Sequence, residues 1–159
     1  KIFSTNLQAW YRELFAPLVQ AQVMNTADLA GFRNHQVYIS KSRHVPPPAG
    51  AVIDSMDTLE KLLSSEEHPA VRAVLGHLVF VFIHPFMDGN GRIGRFLMNL
   101  MLGSGGYNWT VIRTSERVRY MASLEKASTQ GDIEDFATFV ASEMEYWKNE
   151  VSKREGDQK

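Results

Sequence analysis

The sequence predicts an all-α fold that carries one small β-hairpin. Apolar residues recur at three- and four-residue spacing through most of the chain, as they do along the buried face of a helix. Only the stretch from 31 to 50 breaks this pattern, because it combines β-branched residues with a run of three prolines. With 159 residues and no internal repeat, the chain is expected to form one domain over residues 1–159.

The composition narrows the class of protein. A hydrophobic content of 44% and a charged content of 22% are ordinary for a globular domain. The net charge of -1 provides no field that would attract nucleic acid or a membrane surface, and no apolar run approaches the roughly 20 residues of a bilayer span. The absence of cysteine excludes disulfides and thiolate metal sites and fits a reducing compartment. We therefore expect a cytoplasmic protein without membrane or nucleic-acid contacts.

The first half of the chain predicts three helices. The first runs from about Leu7 to Met24, and Pro17 is expected to kink or split it. The next apolar repeat begins at Val52, and a third helix is predicted over Pro69–Ile83, where proline suits the first helical turn. This third segment is apolar on nearly all sides, which indicates a central helix.

Between the first two helices, the segment from Gly31 to Gly50 predicts a hairpin or flap. Residues 37–39, Val-Tyr-Ile, favour a strand, and the prolines at 46–48 favour an irregular return. A two-stranded hairpin is marginal alone, so it is expected to lie on the helices. The alternative is that this segment is only a connector.

Three more helices are predicted in the second half, over about Arg92 to Leu102, Ser115 to Ala127 and Ile133 to Trp147. The charged residues from about 149 to 159 are expected to fray. Because the chain begins with Lys1 rather than Met, we expect it to be a fragment of a longer protein.

Residues 84–95, His-Pro-Phe-Met-Asp-Gly-Asn-Gly-Arg-Ile-Gly-Arg, connect two of the predicted helices. The small residues let backbone N–H groups converge, and a helix begins directly after them, which is the arrangement of an anion site. Arg92 and Arg95 share one face of the first helical turn. Two cations there oppose the helix dipole, so an anion is expected between them.

Two further groups in the loop complete a chemical set. Asp88 can hold Mg²⁺ beside a phosphate, and His84 can accept a proton near neutral pH. A base, a carboxylate, an N–H cradle and two arginines together indicate phosphoryl or nucleotidyl transfer. The alternative is a glycine-rich turn with surface arginines and a histidine that caps a helix. Of the other histidines, His77 is predicted to lie in the core, and His35, His44 and His68 in solvent.

The same segment matches the signature of the Fic family, H-x-F-x-[DE]-G-N-G-R-x-x-R, at every specified position. The matching residues are His84, Phe86, Asp88, Gly89, Asn90, Gly91, Arg92 and Arg95. The chain resembles this family from about Leu7 to Tyr146. The resemblance implies a Fic-type helical bundle with the hairpin flap over the active-site loop. It also implies a catalytic domain that transfers AMP from ATP to a Ser, Thr or Tyr hydroxyl of a target protein.

The resemblance assigns a role to each residue. It makes His84 the general base, with Asn90 and Arg92 as further catalytic residues, and it makes Asp88 the ligand of Mg²⁺. The Asn90 side-chain amide is expected to be an additional donor to the anion. Tyr120 is expected to contact the adenine, with a core role as the alternative. The remaining expected nucleotide-binding residues are Phe86, Gly89, Asn90, Gly91, Arg92 and Arg95, and the residues expected to dock the target are Val37, Tyr38, Ile39, Ser40 and Lys41.

Other reactions and partners stay open at this point. Gly91 favours AMP transfer, because relatives with lysine there resemble kinases. Transfer of another nucleotide or phosphate-containing group, and a non-catalytic helical interaction module, are the alternatives. Many Fic proteins carry an inhibitory helix, [ST]-x-x-x-E-[GN], which residues 151–156 approach but do not match, because Val151 replaces the hydroxyl residue. We expect that helix upstream or on a partner protein, and we consider a homodimer.

Overall fold

The computed structural model describes residues 2–156, with side chains for residues 6–154. Within this range it contains six α-helices and no β-strand, so the all-α prediction is confirmed. The helices are α1 (Ile2–Gln20), α2 (Val52–Ser65), α3 (Pro69–Ile83), α4 (Asn90–Ser104), α5 (Arg117–Gln130) and α6 (Glu134–Gly156). None of the described helices is both long enough and apolar enough to cross a membrane.

Helix α3 is the centre of the fold, as its all-round apolar character predicted. It contacts α2, α4, α5 and α6, and its most extensive contact is with α4. Gly94 allows the close approach of α3 and α4, because a Cβ there would lie only 2.9 Å from Nδ1 of His77. The loop between these two tightly packed helices is therefore held at both ends, which gives a rigid frame for residues 84–89.

The helix bounds in the structure agree best with the predicted bounds where the sequence carries local start and stop signals. Helix α3 has the predicted bounds, because Pro69 starts it and His84-Pro85 ends it. Helix α1 runs through Pro17 to Gln20, so it is bent at most and not split. Helix α6 passes Trp147 and includes the predicted tail as far as Gly156, whereas residues 157–159 lie outside the described range.

The predicted β-hairpin over residues 31–50 is wrong. This flap segment contains a turn at residues 40–41, with one backbone bond from the Ser42 N–H to the Ile39 carbonyl, and no cross-strand ladder. The prolines of the return arm have no N–H to donate to a ladder. Side chains satisfy the carbonyls instead, as where Gln36 Nε2 donates to Pro46 at 2.9 Å.

Candidate active site

The loop between α3 and α4 begins with a histidine in an unusual backbone conformation. His84 caps the C-terminus of α3 in the left-handed region, with φ 53° and ψ 58°, and Pro85 cannot continue the helix. At the other end, Gly89 is left-handed with φ 78° and caps the start of α4. The two left-handed residues turn the chain from one helix into the next over only a few residues.

Asn90 closes this loop from within. Its Oδ1 accepts from the Phe86 N–H at 2.9 Å, and its Nδ2 donates to the Phe86 carbonyl at 2.8 Å. The side chain thus uses one acceptor and one of its two N–H donors within the loop, and its expected role as a further donor to the anion stays a prediction. The backbone N–H groups of Asn90 and Gly91, at the start of α4, have no acceptor among the described residues. They are available to an anion.

Phe86 fixes the loop to the core. Its ring is fully buried and stacks on Tyr11 of α1, with centroids 3.8 Å apart and an interplanar angle of 3°. The Tyr11 hydroxyl donates a hydrogen bond to the Asp88 carbonyl at 2.9 Å. Burial is the main cause that raises the pKa of Tyr11 to about 12. Phe86 does not line the cleft described below, and its expected place among the nucleotide-binding residues stays a prediction. Its packing holds the loop backbone in place.

Asp88 presents its carboxylate to solvent at the mouth of the loop, with 70% of the side chain exposed. Its Oδ1 accepts from the Gly89 N–H at 2.6 Å, and its Oδ2 lies 3.1 Å from Nη2 of Arg92. No group of three or more histidine or acidic side chains that could hold a metal ion occurs in the described part of the chain. A single exposed carboxylate nevertheless fits Mg²⁺, which proteins often bind through one carboxylate together with substrate phosphates.

The two arginines differ in their partners. The Arg92 guanidinium pairs with Asp88 and lies 4.5 Å above the Phe15 ring centroid. No carboxylate within residues 6–154 forms an ion pair with Arg95, whose guanidinium lies beside Gly91 and interacts with the Tyr120 hydroxyl. An unneutralised arginine beside free backbone N–H groups is the charge arrangement that binds phosphate.

His84 is suited to act as a base. Its Nδ1 lies 3.3 Å from the Val81 carbonyl, a contact that requires the proton on Nδ1. Its Nε2 then carries the lone pair, and that atom has no hydrogen-bond partner among the described side chains and backbone. Burial, followed by the charges of Arg33 and His44, lowers the pKa of His84 below that of free imidazole. The ring is therefore neutral at pH 7.

These groups share one cleft of about 740 Å³. Its floor is the loop and the start of α4, and one wall is α5, which contributes Met121 and Leu124. The opposite wall is the flap segment, of which Ile39, Ser40 and Lys41 line the cleft whereas Val37 and Tyr38 do not. The cleft thus brings together His84, Asp88, Gly89, Asn90, Gly91, Arg92 and Arg95, which the sequence predicted as site residues.

The chain is similar in sequence to known proteins. The sequence profile of the Fic/DOC family matches residues 4–102. The chain belongs to the Fic/DOC family. A protein adenylyltransferase Fic from Drosophila ananassae is 42% identical over 69% of this chain, and the alignment covers 22% of that relative. The protein adenylyltransferase Fic from Drosophila melanogaster is 41% identical over 69% of this chain and 23% of that relative. The chain thus spans about a fifth of the curated relatives that it matches.

Solved Fic structures share the fold. A fragment of Fic-1 from C. elegans superposes with a TM-score of 0.81 and 25% identity, over 96% of this chain and 44% of that one. A Fic family protein from Desulfovibrio desulfuricans G20 gives a TM-score of 0.71 and 28% identity, over 93% of this chain and 46% of the other. The helical bundle described above is therefore the Fic fold.

Tyr120 borders the cleft of this Fic domain but is mostly a core residue. Only 4% of it is exposed, and its hydroxyl lies 2.8 Å from Nε2 of His77. His77 is fully buried, as predicted. The core role that the sequence left as the alternative for Tyr120 is thus present, and a contact with adenine stays a prediction.

The prediction that His44 lies in solvent is wrong. His44 is 8% exposed, and its Nε2 lies 2.8 Å from the Phe82 carbonyl near the end of α3. His35 and His68 are exposed, as expected, and His68 also caps α3 by accepting from the Val71 N–H. Only the folded chain brings the Phe82 carbonyl to His44, so no local pattern could reveal the contact.

Two residues that hold the Fic site were not predicted. Arg33 is 3% exposed and donates to the carbonyl of His84 at 2.8 Å. Glu125 of α5 accepts from the Ser42 hydroxyl and from the Arg43 N–H, the latter at 2.9 Å. Neither residue belongs to the signature over residues 84–95, and no spacing in the sequence links either one to that loop.

Proposed function

We propose that this Fic domain is a protein adenylyltransferase, which moves AMP from ATP to a Ser, Thr or Tyr hydroxyl of a target protein. One observation carries the proposal: the free Nε2 of a neutral His84 opens into the same cleft as the free N–H groups at the start of α4 and the guanidinium of Arg95. The curated relatives named protein adenylyltransferase Fic support the same reaction.

The proposed reaction uses His84 as general base. The target hydroxyl oxygen attacks the α-phosphorus of ATP, and its proton passes to Nε2 of His84. The bond between the α-phosphorus and the bridging oxygen breaks, and pyrophosphate leaves. Arg92 and Arg95 stabilise the negative charge that collects on this leaving group, an electrostatic contribution of about 10²–10³ in rate for each such contact.

Mg²⁺ is the proposed metal, held by Asp88. The exposed carboxylate at the loop mouth fits a cation that keeps most of its other ligands from water and phosphate. When bound, Mg²⁺ would supply charge neutralisation to the phosphates of ATP. The ion pair with Arg92 at 3.1 Å keeps Asp88 beside the N–H cradle.

The two remaining walls of the cleft suit the adenine ring of ATP and the target protein. Met121 and Leu124 of α5 offer an apolar surface for a purine, with Tyr120 behind them. The flap segment is the proposed docking site of the target, because residues 37–41 pair their backbone groups with no strand in the described chain. An extended target peptide can use such groups without reading particular side chains.

Regulation by an inhibitory helix is also proposed. A second groove, of about 460 Å³, lies along α1 and α4 and shares Arg92 and Arg95 with the cleft. Apolar residues such as Leu14, Phe96 and Trp109 line it, so an amphipathic helix with a glutamate could lie there and pair with Arg95. We propose that this helix lies upstream of this chain or on a partner protein, because Val151 stands where the inhibitory motif has Ser or Thr. The homodimer and the cytoplasmic location stay predictions.

The decisive experiment incubates the chain with Mg²⁺ and ATP that carries its label on the α- or the γ-phosphate. AMP transfer predicts that the α-label, and not the γ-label, becomes attached to the protein. His84→Ala should abolish the signal, since a general base contributes about 10²–10⁴ in rate. His35→Ala, at an exposed histidine, is the matched control and should keep it.

Other outcomes would support the alternatives. Attachment of the γ-label would indicate a kinase, and competition by UTP or GTP would indicate another nucleotide. Neither label attached, with no ATP binding by calorimetry, would reject catalysis and favour a helical interaction module.

A further inference from the structure

Arg33 is a buried cation whose side-chain hydrogen bonds, among the described residues, all go to backbone carbonyls. Its Nε donates to His84 at 2.8 Å, and its Nη atoms donate to Ile83 at 3.3 Å, His35 at 3.1 Å and Pro47. Its own backbone N–H donates to the Pro85 carbonyl at 2.8 Å. No carboxylate among residues 6–154 pairs with it. A buried charge is costly, so this set of bonds must offset its desolvation.

We propose that Arg33 is a positioning residue that holds the general base and the target-docking segment in one fixed frame. This inference rests on the proposed function, which assigns the roles of general base and docking segment. Arg33 thereby supports two parts of the site that come from different regions of the chain.

Arg33 supports the general base through the backbone around His84. A residue other than glycine in the left-handed region is strained, and it persists only where surrounding contacts impose it. The bonds from Arg33 to Ile83, His84 and Pro85 surround that strained residue on both sides. Arg33 therefore sets the direction in which the imidazole leaves the backbone.

Arg33 supports the target-docking segment by joining the two arms of the flap segment. Arg33 binds the carbonyl of His35 on the outgoing arm and that of Pro47 on the return arm. The Pro47 bond spans 14 residues of sequence and closes the segment without a strand ladder. Because both arms and His84 share one guanidinium, a single side chain links the general base directly to the target-docking segment.

Lysine cannot replace this arrangement. The planar guanidinium points five donors in fixed directions, whereas an ammonium is a point charge with three rotating donors on a flexible stem. Lysine would, however, preserve the positive charge near the imidazole. That charge lowers the pKa of His84 together with burial and His44, while Asp88 acts in the opposite direction. The charge and the geometry of Arg33 can thus be tested separately.

The test compares Arg33→Met and Arg33→Lys in the full chain. Arg72→Met is the control, because Arg72 also donates to backbone carbonyls, at Glu66 and Glu67, but lies in the first turn of α3, outside the cleft. Imidazole NMR titration reports the pKa of His84. Amide hydrogen exchange by mass spectrometry reports the opening of residues 34–48, and circular dichroism checks that each variant is folded.

We expect Arg33→Met to raise the pKa of His84 and to speed exchange over residues 34–48. Arg33→Lys should keep the low pKa but still speed that exchange, and it should slow self-adenylylation by about 10²-fold, as a misplacement of 1 Å does. Slow exchange in both variants, or an unchanged His84 pKa in Arg33→Met, would overturn the proposal. If Arg33→Met does not fold, exchange in Arg33→Lys decides. Neither spectroscopic result depends on catalysis, so an inactive parent chain would refute adenylyl transfer while leaving this test valid.

Discussion

The Tyr120 hydroxyl lies 2.8 Å from Nε2 of His77, in the part of the core that borders the cleft. His77 stacks on Phe136, with ring centroids 5.5 Å apart, and no polar partner of good geometry faces its Nδ1 among the described residues. The Tyr120 hydroxyl also interacts with Arg95. This pair therefore connects the interior of the bundle to an arginine of the candidate phosphate site.

Tyr120→Phe is expected to destabilise the domain. Removal of the hydroxyl leaves Nε2 of His77 buried without a partner, which costs about 1–3 kcal/mol in the free energy of unfolding. Urea denaturation measures the change. Tyr107→Phe is the control, because Tyr107 is 37% exposed and its hydroxyl makes no hydrogen bond within residues 6–154. Equal stability of the two variants would show that the bond contributes nothing.

The stability of the domain is expected to decrease as the pH is lowered, because of His77. Burial lowers its pKa from 6.5 to about 4, so the unfolded chain binds more protons than the folded chain between these values. The free energy of unfolding should decrease as the pH falls below 6.5 and level off below about 4, with a total loss of about 3 kcal/mol. His84, whose pKa is also lowered, contributes in the same direction.

Denaturant titrations between about pH 7 and about pH 5 measure this slope. His77→Gln should flatten it, whatever its effect on stability at neutral pH. His35→Gln, at an exposed histidine, should leave it unchanged. A slope that survives in His77→Gln would assign the effect to other groups.

Gly89→Ala is expected to disrupt the loop. Gly89 has φ 78°, which alanine avoids, and a Cβ there would collide with the Phe15 ring. We expect a loss of more than about 1 kcal/mol and weaker ATP binding, measured by thermal melting and calorimetry. Gly103→Ala, in α4 with no atom within 4 Å of the added Cβ, should instead be neutral or stabilising by up to about 1 kcal/mol. Similar losses in both variants would contradict the assigned role of Gly89.

Glu125→Ala is expected to release the flap segment from α5. The carboxylate accepts from the Ser42 hydroxyl and the Arg43 N–H, and these bonds lower the pKa of Glu125. The link should therefore hold above the ordinary pKa of a glutamate and weaken only as the pH falls through the lowered value. Faster amide exchange over residues 40–44, with little change in melting temperature, is the expected result.

The control for this variant is Glu116→Ala. Glu116 pairs with Arg119 on the surface at 3.8 Å, and within the described part of the chain no hydrogen bond or ion pair joins it to the flap segment. Exchange over residues 40–44 that is equally slow in both variants would show that Glu125 does not restrain the flap.

Features that depend on residues close together in the sequence could be predicted from the sequence. Helix α3 has its predicted bounds because the start signal at Pro69 and the stop at His84-Pro85 are local. The loop was predictable for the same reason, since His84, Asp88, Arg92 and Arg95 lie within a dozen residues and their order alone brings them together. The fold class followed from apolar spacing, which reflects burial on one face of each helix.

The tertiary structure decided everything that joins distant parts of the chain. Arg33 reaches His84 across 51 residues, and Ser42 reaches Glu125 across 83, so neither contact leaves a periodic trace in the sequence. The hairpin prediction failed because β-propensity at residues 37–39 needs a partner strand, whereas the prolines at 46–48 cannot donate to one. The sequence by itself determined which groups could do the chemistry. Only the packing determined how a base, a target segment and a phosphate site face one another, because carbonyls and buried cations find their partners in the folded chain.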